Sequence, residues 1–500
     1  MNLTALCQKR RLVFDGGTGS SLMAAGLKPG EMPEKWNILR PEEIVGLHTR
    51  YIEAGADIIK TNTFGAYSFK LGEEQGRIVS AALDCAERAV TACGKDTLIA
   101  LDVGPLGKLL EPFGDLSFDG AVSYFKELIT LGKDRADLIL IETMSDLYEI
   151  KAAVLAAKEV ASLPIIVTVA LDQRGRILTG ADVETIVTTL EGLGVAALGV
   201  NCGFGPHTLA PFVKTITEIA SVPVVCNPNA GLPEMVGGRA VYSITPENYA
   251  REMEAILSLD VAIVGGCCGT TPDHIAAIAE KVKASIAKVA PKNRAAVTGY
   301  MKTVTFCDGC VFIGDKLNAM KNEALSDGDP DTLLDEAMEQ MAYGVQLAEV
   351  LATAESLSLC EMLQGLQESL GTPFMLVGDG LDDAWRHYNG KPLVYAASED
   401  CAHIFDLMQA YGGTAVFAVN DPDAAEAIFT AANAQGFGKC DFMIAPIGCD
   451  REAFAKLNAD GFMTALVLSS APREMWEDLA DLADIVIGDA TDGDADVFLT

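Results

Sequence analysis

What most limits how this chain can fold is an alternation, over its first 290 residues, of short apolar runs with segments of helical periodicity. The strand candidates are 11–17, 57–64, 97–104, 138–144, 164–170, 197–202, 223–229 and 261–268. Helix-like segments such as 41–54, 119–133 and 208–220 lie between them, the first opened by Pro41 at a position helices tolerate. The strand runs are apolar almost throughout, as parallel strands covered on both faces should be. Eight strand-then-helix units predict a (β/α)8 barrel of the TIM type over residues 1–290. Such barrels carry their sites at the C-terminal ends of the strands. The polar residues expected there are Asp15, Thr61-Asn62-Thr63, Asp102, Glu142-Thr143, Asn201-Cys202, Asn227-Pro228-Asn229 and Cys267-Cys268.

The alternation resumes in the last 200 residues, with strand candidates 311–314, 346–352, 373–378, 392–397, 414–420, 441–447, 464–469 and 484–488. Eight short units predict a second, compact barrel over 304–500, with 291–303, a basic stretch opened by Pro291, as the linker. Only residues 490–500 follow its last strand, acidic and too short for a good closing helix.

With 500 residues, half of them apolar, each barrel can bury a full core. No apolar segment is long enough to span a bilayer, and the opening residues lack the order of a signal peptide. Thirteen cysteines, odd in number and scattered, fit a reducing compartment better than a disulfide framework, so the expected location is cytoplasmic. The formal charge of −33 falls mostly on residues 301–500, which hold 9 basic and 35 acidic residues. That balance excludes nucleic acid and anionic membranes as partners, since little here could neutralise phosphates.

Two glycine-flanked cysteine clusters, Asn201-Cys202-Gly203 and Gly265-Gly266-Cys267-Cys268-Gly269-Thr270, end the sixth and eighth predicted strands. Adjacent cysteines do not readily bond each other, and three thiolates suit Zn2+ while leaving a fourth position open for a substrate. The alternative is three buried cysteines packing as small apolar groups. Other motifs are weaker. Gly16-Gly17-Thr18-Gly19 lacks the lysine of a phosphate loop. Five histidines occur with no paired spacing, and His48 reads as a hydrogen-bonded structural residue. Cys307-Asp308-Gly309-Cys310 has redox or metal spacing but no partner pair.

Several of these segments together resemble the zinc-dependent homocysteine S-methyltransferases, a group that includes the N-terminal module of cobalamin-dependent methionine synthase. They are Asp15-Gly16-Gly17-Thr18-Gly19, Pro33-Glu34-x-Trp36-Asn37, His48-x-x-Tyr51, Thr61-Asn62-Thr63-Phe64, Glu142-Thr143, Gly199-Val200-Asn201-Cys202, Pro228-Asn229-Ala230-Gly231 and the run from Gly265 to Thr270. The resemblance implies Cys202, Cys267 and Cys268 as zinc ligands and catalytic residues, with the homocysteine thiolate at the open position. It further implies that Asp15, Gly16, Gly17 and Glu142 hold the amino-acid end of homocysteine and that Asn229 lies near the metal.

The second barrel resembles, more distantly, the pterin-binding barrel that follows this module in methionine synthase. Ile313-Gly314-Asp315-Lys316-x-Asn318, Gly328-Asp329 and Gly344-Val345-Gln346-Leu347 carry that likeness. Where the family has polar pterin contacts, this chain has Leu351, Val377, Tyr395 and Ala445, and Asn318 alone remains. The implied function is methyl transfer to homocysteine, giving methionine, with a corrinoid on a separate protein as carrier; the chain has no Asp-x-His-x-x-Gly cobalamin loop. Direct transfer from a small sulfonium or ammonium donor, or transfer to another thiol, stays open, with the second barrel then a non-catalytic docking domain.

Overall fold

The computed structural model describes residues 2–236, 239–282, 285–292, 294–306, 309–320, 330–353 and 356–489. It divides into two compact units, residues 1–191 with 195–291, and residues 192–194 with 292–500.

In the first unit the strands are β1 (Leu12–Val13), β2 (Ile58–Lys60), β3 (Leu98–Val103), β4 (Leu138–Met144), β5 (Ile165–Val169), β6 (Ala197–Asn201), β7 (Val224–Asn227), a hairpin of β8 (Pro233–Val236) and β9 (Arg239–Tyr242), and β10 (Val261–Val264). Eight of them form one parallel sheet in the order β1-β10-β7-β6-β5-β4-β3-β2. A parallel bridge from Phe14 to Ile58 joins its two ends and closes the barrel. The interior is filled by Leu12, Phe14, Ile58, Ala100, Leu138, Leu140, Ile166, Ala197, Val225 and Ile263, with Leu3 and Cys7 of the first helix packed into the same cluster. A barrel filled this way is a core and not a pore, so a ligand can enter only at a mouth.

The helices show why they lie where they do. Pro41–Glu53 starts on a proline at its first position and has Glu42 and Glu43 in its first turn, favourable to the helix dipole. Ile44, Leu47, His48, Tyr51 and Ile52 recur at three- and four-residue spacing on its buried face. Each large apolar side chain fully buried in this way contributes roughly 1.5–3 kcal/mol. Close approach also constrains the sheet: a Cβ on Gly199 of β6 would lie 1.9 Å from the Val225 carbonyl oxygen of β7, so only glycine fits two residues before Asn201.

The second unit begins with a hairpin of β11 (Ala296–Thr298) and β12 (Thr303–Thr305). Its barrel is closed by β13 (Val311–Asn318), β14 (Leu347–Ala352), β15 (Phe374–Gly378), β16 (Leu393–Ala397), β17 (Thr414–Val419), β18 (Phe442–Pro446), β19 (Met463–Val467) and β20 (Ile485–Gly488) in chain order. Val311, Ile313, Leu347, Met375, Leu393, Val416, Met443, Ala465 and Ile485 fill its interior, and Ala295, Val297, Val304 and Phe306 of the hairpin segment pack into the same cluster.

The two eight-stranded α/β barrels are those that the alternation predicts, and each of the sixteen strands lies within or overlaps its candidate segment. Two features differ from the sequence reading. Residues 296–298 and 303 of the stretch read as a linker are paired antiparallel structure, held further by a Thr298 N–H to Lys391 carbonyl bond of 2.8 Å. The β8–β9 hairpin was not foreseen at all. Cys307, Asp308, Gly328, Asp329 and residues 490–500 lie outside the described residues. Among the described residues no helix is long and apolar enough to cross a membrane.

Candidate active site

At the C-terminal mouth of the first barrel, β6 and β10 bring Cys202, Cys267 and Cys268 together, with all three Sγ atoms within 4.8 Å of one another. Cys202 and Cys268 Sγ are 3.9 Å apart, and none of the three is in a disulfide. Tetrahedral zinc with Zn–S bonds of about 2.3 Å requires ligand sulfurs about 3.8 Å apart, so this donor set fits such an ion in both chemistry and spacing. The charge distribution points the same way. Contact with Cys267 and Cys268 lowers the Cys202 thiol strongly, while contact with Cys202 raises Cys267 well above the ordinary range and Cys268 to about 11. Three sulfurs this close share one negative charge among themselves, and only an added cation lets all three ionise.

Asn201 ties the cluster to the neighbouring strand. Its Oδ1 accepts from Thr143 N–H at 3.0 Å, and its Nδ2 donates to Thr143 Oγ1 at 2.8 Å and reaches Cys267 Sγ at 3.7 Å. Thr143 and Cys202 both have φ of 62°, in the left-handed region that few non-glycine residues adopt. Backbone strain of this kind is held only where surrounding bonds over-determine it.

Beside the sulfurs lies a buried polar cluster. Asp15 is fully buried and accepts from the Lys60 backbone N–H at 2.9 Å. Lys60 Nζ stands 3.3 Å from Glu142 Oε2 and 3.7 Å from Asp15 Oδ1. Burial raises Asp15 to about 7 against the lowering effect of Lys60, and burial with the Glu142 charge raises Asp102 well above the carboxylate range. Burial alone would lower the Lys60 ammonium, but Glu142 and Asp15 together hold it well above the usual lysine value. A cleft of about 200 Å³ is lined by Gly17, Lys60, Asp102, Glu142 and the three cysteines, with Pro33 and Phe64 among its apolar walls.

Gly16 and Gly17 sit in tight quarters. A Cβ on Gly16 would fall 2.7 Å from Thr270 Oγ1, and one on Gly17 2.6 Å from the Cys267 carbonyl oxygen. Asn229 is buried with Oδ1 unpartnered, and its side chain contributes a hydrogen bond that lowers Cys202. Tyr242, from the β8–β9 hairpin, covers Gly269 and hydrogen-bonds Cys268.

Much of the remaining motif is scaffolding. Asn37 and Asn62 bond each other at 2.9 Å and reach the Asn62 and Pro33 carbonyls. Tyr51 hydroxyl donates to the Thr270 carbonyl at 3.1 Å, and Glu34 Oε1 accepts from Gly65 N–H at 2.7 Å. Lys60 is the site residue that the sequence reading passed over. Its signal was a lysine at the end of an otherwise apolar strand, since lysine is almost never fully buried unless paired.

Comparison with known proteins adds three findings. The family model described as homocysteine S-methyltransferase matches residues 12–282. Proteins named methionine synthase from Mycobacterium leprae (strain TN) and Mycobacterium tuberculosis (strain ATCC 25618 / H37Rv) are each 29% identical, over 377 and 391 residues, covering 68% and 70% of this chain but 31% and 32% of their own lengths. This chain therefore spans about a third of the length of those relatives. The metallated form of the homocysteine methyltransferase MmuM from Escherichia coli overlays 56% of this chain and 100% of its own, with a TM-score of 0.48 and 22% identity.

Proposed function

Because the chain belongs, through residues 12–282, to the homocysteine S-methyltransferase family, we propose that it moves a methyl group to the thiolate of homocysteine, giving methionine, with one Zn2+ held by Cys202, Cys267 and Cys268. The observation that carries this reading is the convergence of three unbridged sulfurs, within 4.8 Å, in one cleft with buried carboxylates. When bound, the metal keeps a coordinated substrate thiol deprotonated near neutral pH, where a free thiol with pKa of about 8.5 is mostly protonated.

The chain's own residues do the rest. Three cysteine thiolates carry more negative charge than one divalent cation neutralises, so the acceptor sulfur stays electron-rich and nucleophilic. Asp15 and Glu142 offer carboxylate oxygens to the substrate ammonium, and the Gly16-Gly17 backbone holds its main-chain atoms. Pro33 and Phe64 limit water at the reacting sulfur. In the transfer the S–CH3 bond forms as the donor–CH3 bond breaks, and the electron pair of the broken bond stays with the donor.

The donor in this reading is a methylcorrinoid carried by a separate protein. Its support is the similarity to proteins named methionine synthase over 68–70% of the chain, further than residues 12–282 alone. Cytoplasmic location belongs to the same reading, which needs its thiols reduced. The test is zinc content and methyl transfer in purified full-length protein and in Cys267→Ala, with homocysteine and, in turn, methylcobalamin, S-methylmethionine and S-adenosylmethionine. About one zinc per chain, lost in Cys267→Ala, and methionine from methylcobalamin are expected. Undiminished zinc in Cys267→Ala would overturn the metal site, and turnover only with a sulfonium would overturn the corrinoid donor.

A further inference from the structure

Among the residues lining the cleft, Lys60 is the sole cation. Its side chain is 4% exposed. An ammonium has three N–H donors, yet beyond the looser 3.7 Å ion pair with Asp15 Oδ1 the hydrogen bond that Lys60 Nζ makes among the described residues is the single one to Glu142 Oε2. At 3.3 Å it is longer than the ~2.7–2.9 Å of a well-made charge-assisted bond. A lysine serving only as counter-ion to these carboxylates would sit closer to one of them and use its donors there. On the acceptor side, Asp102 Oδ1 is buried without a hydrogen-bond partner, and Asp15 Oδ1 meets only the 3.7 Å ion pair with Lys60. Spare donors and spare acceptors buried side by side are unfavourable until something completes both.

The group that completes both is a zwitterion, whose ammonium answers the carboxylates and whose carboxylate answers the lysine. We propose that Lys60 recognises the carboxylate of the acceptor thiol, and so makes the site select thiols bearing both an α-ammonium and an α-carboxylate. The inference rests on reading this cleft as the acceptor site. A zwitterion leaves the local charge balance unchanged. An aminothiol without the carboxylate instead sets a second ammonium against Lys60 with no anion added, which is repulsive in a buried site. An anionic thiol without the amine leaves Asp102 Oδ1 unpartnered and adds a charge of the same sign as Glu142.

Calorimetry on the full-length, zinc-loaded protein decides the matter, with homocysteine and its decarboxylated analogue, aminopropanethiol, as probes. Wild type is expected to bind homocysteine roughly tenfold or more tighter than the analogue, the scale of one charge-assisted bond. Lys60→Met, which keeps the length of the stem, should lose that preference by weakening homocysteine while leaving the analogue unchanged or tighter, and Lys60→Arg should keep part of it. Equal weakening of both probes in Lys60→Met would show that Lys60 only positions Glu142, and equal binding of both by wild type would overturn the inference even if Lys60→Met does not fold. Failure of the underlying reading looks different, since wild type would then bind neither thiol.

Discussion

Replacing Asn201 tests how the mouth of the first barrel is held together. The residue is 1% exposed and makes two close bonds to Thr143, at 3.0 and 2.8 Å, across from β6 to the end of β4. Thr143 is held at φ 62°, a conformation that costs a non-glycine residue roughly 1–2 kcal/mol. In Asn201→Ala the Thr143 N–H loses its partner in a site largely closed to water, costing ~1–3 kcal/mol, and the hydroxyl bond is lost at ~0.5–1.5 kcal/mol more. The sum is about 2–4 kcal/mol, which for a unit of this size lowers Tm by roughly 4–8 °C. Asn201→Asp keeps the acceptor for Thr143 N–H but gives up the donors to Thr143 Oγ1 and Cys267 Sγ and sets a negative charge beside the sulfurs. It should therefore cost less stability than the alanine variant, and the added anion should hold zinc at least as tightly as that variant does. Thr143→Gly relieves the left-handed strain while losing the hydroxyl bond, for a net change within ~1 kcal/mol. Thermal melts of metal-free protein, with zinc titration alongside, give all three values. If Asn201→Ala melts like wild type, or Thr143→Gly proves the least stable of the set, the account of a strained loop clamped by Asn201 is wrong.

Three further outcomes are expected. Glu142→Gln should weaken homocysteine binding by ~1–3 kcal/mol in calorimetry, and unchanged affinity would make the carboxylate structural. Burial lowers His48 to about 4, and neither ring nitrogen meets a partner. A base that is neutral in the fold but has its ordinary value of 6.5 when unfolded contributes stability that is present above pH ~6.5 and is lost as pH falls toward ~4. The first unit should therefore lose roughly 2–4 kcal/mol over that window, and a melting series should show His48→Phe with a flatter profile. Finally, full-length protein should show no saturable micromolar binding of methyltetrahydrofolate, because three or more lost hydrogen bonds at ~1–3 kcal/mol each put such a site out of range.

The barrels were legible because strands buried on both faces are apolar runs, and a run such as 138–144 is visible without knowing its neighbours. The mouth was legible for a related reason: a polar residue directly after such a run has few places to go except the strand's C-terminal end. The hairpins were harder. Ala296-Val297-Thr298 and Thr303-Val304-Thr305 flank a turn with Gly299 and carry the β-branched residues of strands, but the basic residues and Pro291 nearby outweighed that signal. β8 opens on Pro233 and Glu234, which argue against a strand locally, and its pairing with β9 is made far from the barrel sheet. Lys60 was missed because its partners are not local. Glu142 is 82 positions away and Asp15 is 45, so nothing beside Lys60 in the chain indicates that its charge is matched. His48 was read as hydrogen-bonded, as most buried histidines are, whereas both its nitrogens are unpartnered.

In the second barrel, Asn318, the one polar residue kept in the resemblance to a pterin-binding barrel, need not mean a pterin pocket. Asn318 ends β13 and is buried, as is Glu349 of β14. Asn318 Nδ2 donates to Glu349 Oε1 at 3.0 Å, and its Oδ1 accepts from Met320 N–H at 2.9 Å. Both ends of the amide are thus occupied from within the chain. A pterin edge pairing with Asn318 would have to displace both bonds, one of them to a carboxylate, before gaining any of its own. Around it, Val377 and Tyr395 pack against the apolar interior, and Ala445 is part of it. Burial raises the Tyr395 hydroxyl and the Glu349 charge raises it further, so that group stays a neutral phenol. The folate prediction therefore rests on two independent features, the Leu351, Val377, Tyr395 and Ala445 side chains where the resembled family is polar and the commitment of Asn318 to its neighbours. A variant that frees the amide, Glu349→Ala, restores none of the polar groups missing at Leu351, Val377, Tyr395 and Ala445, and it should gain no folate binding either.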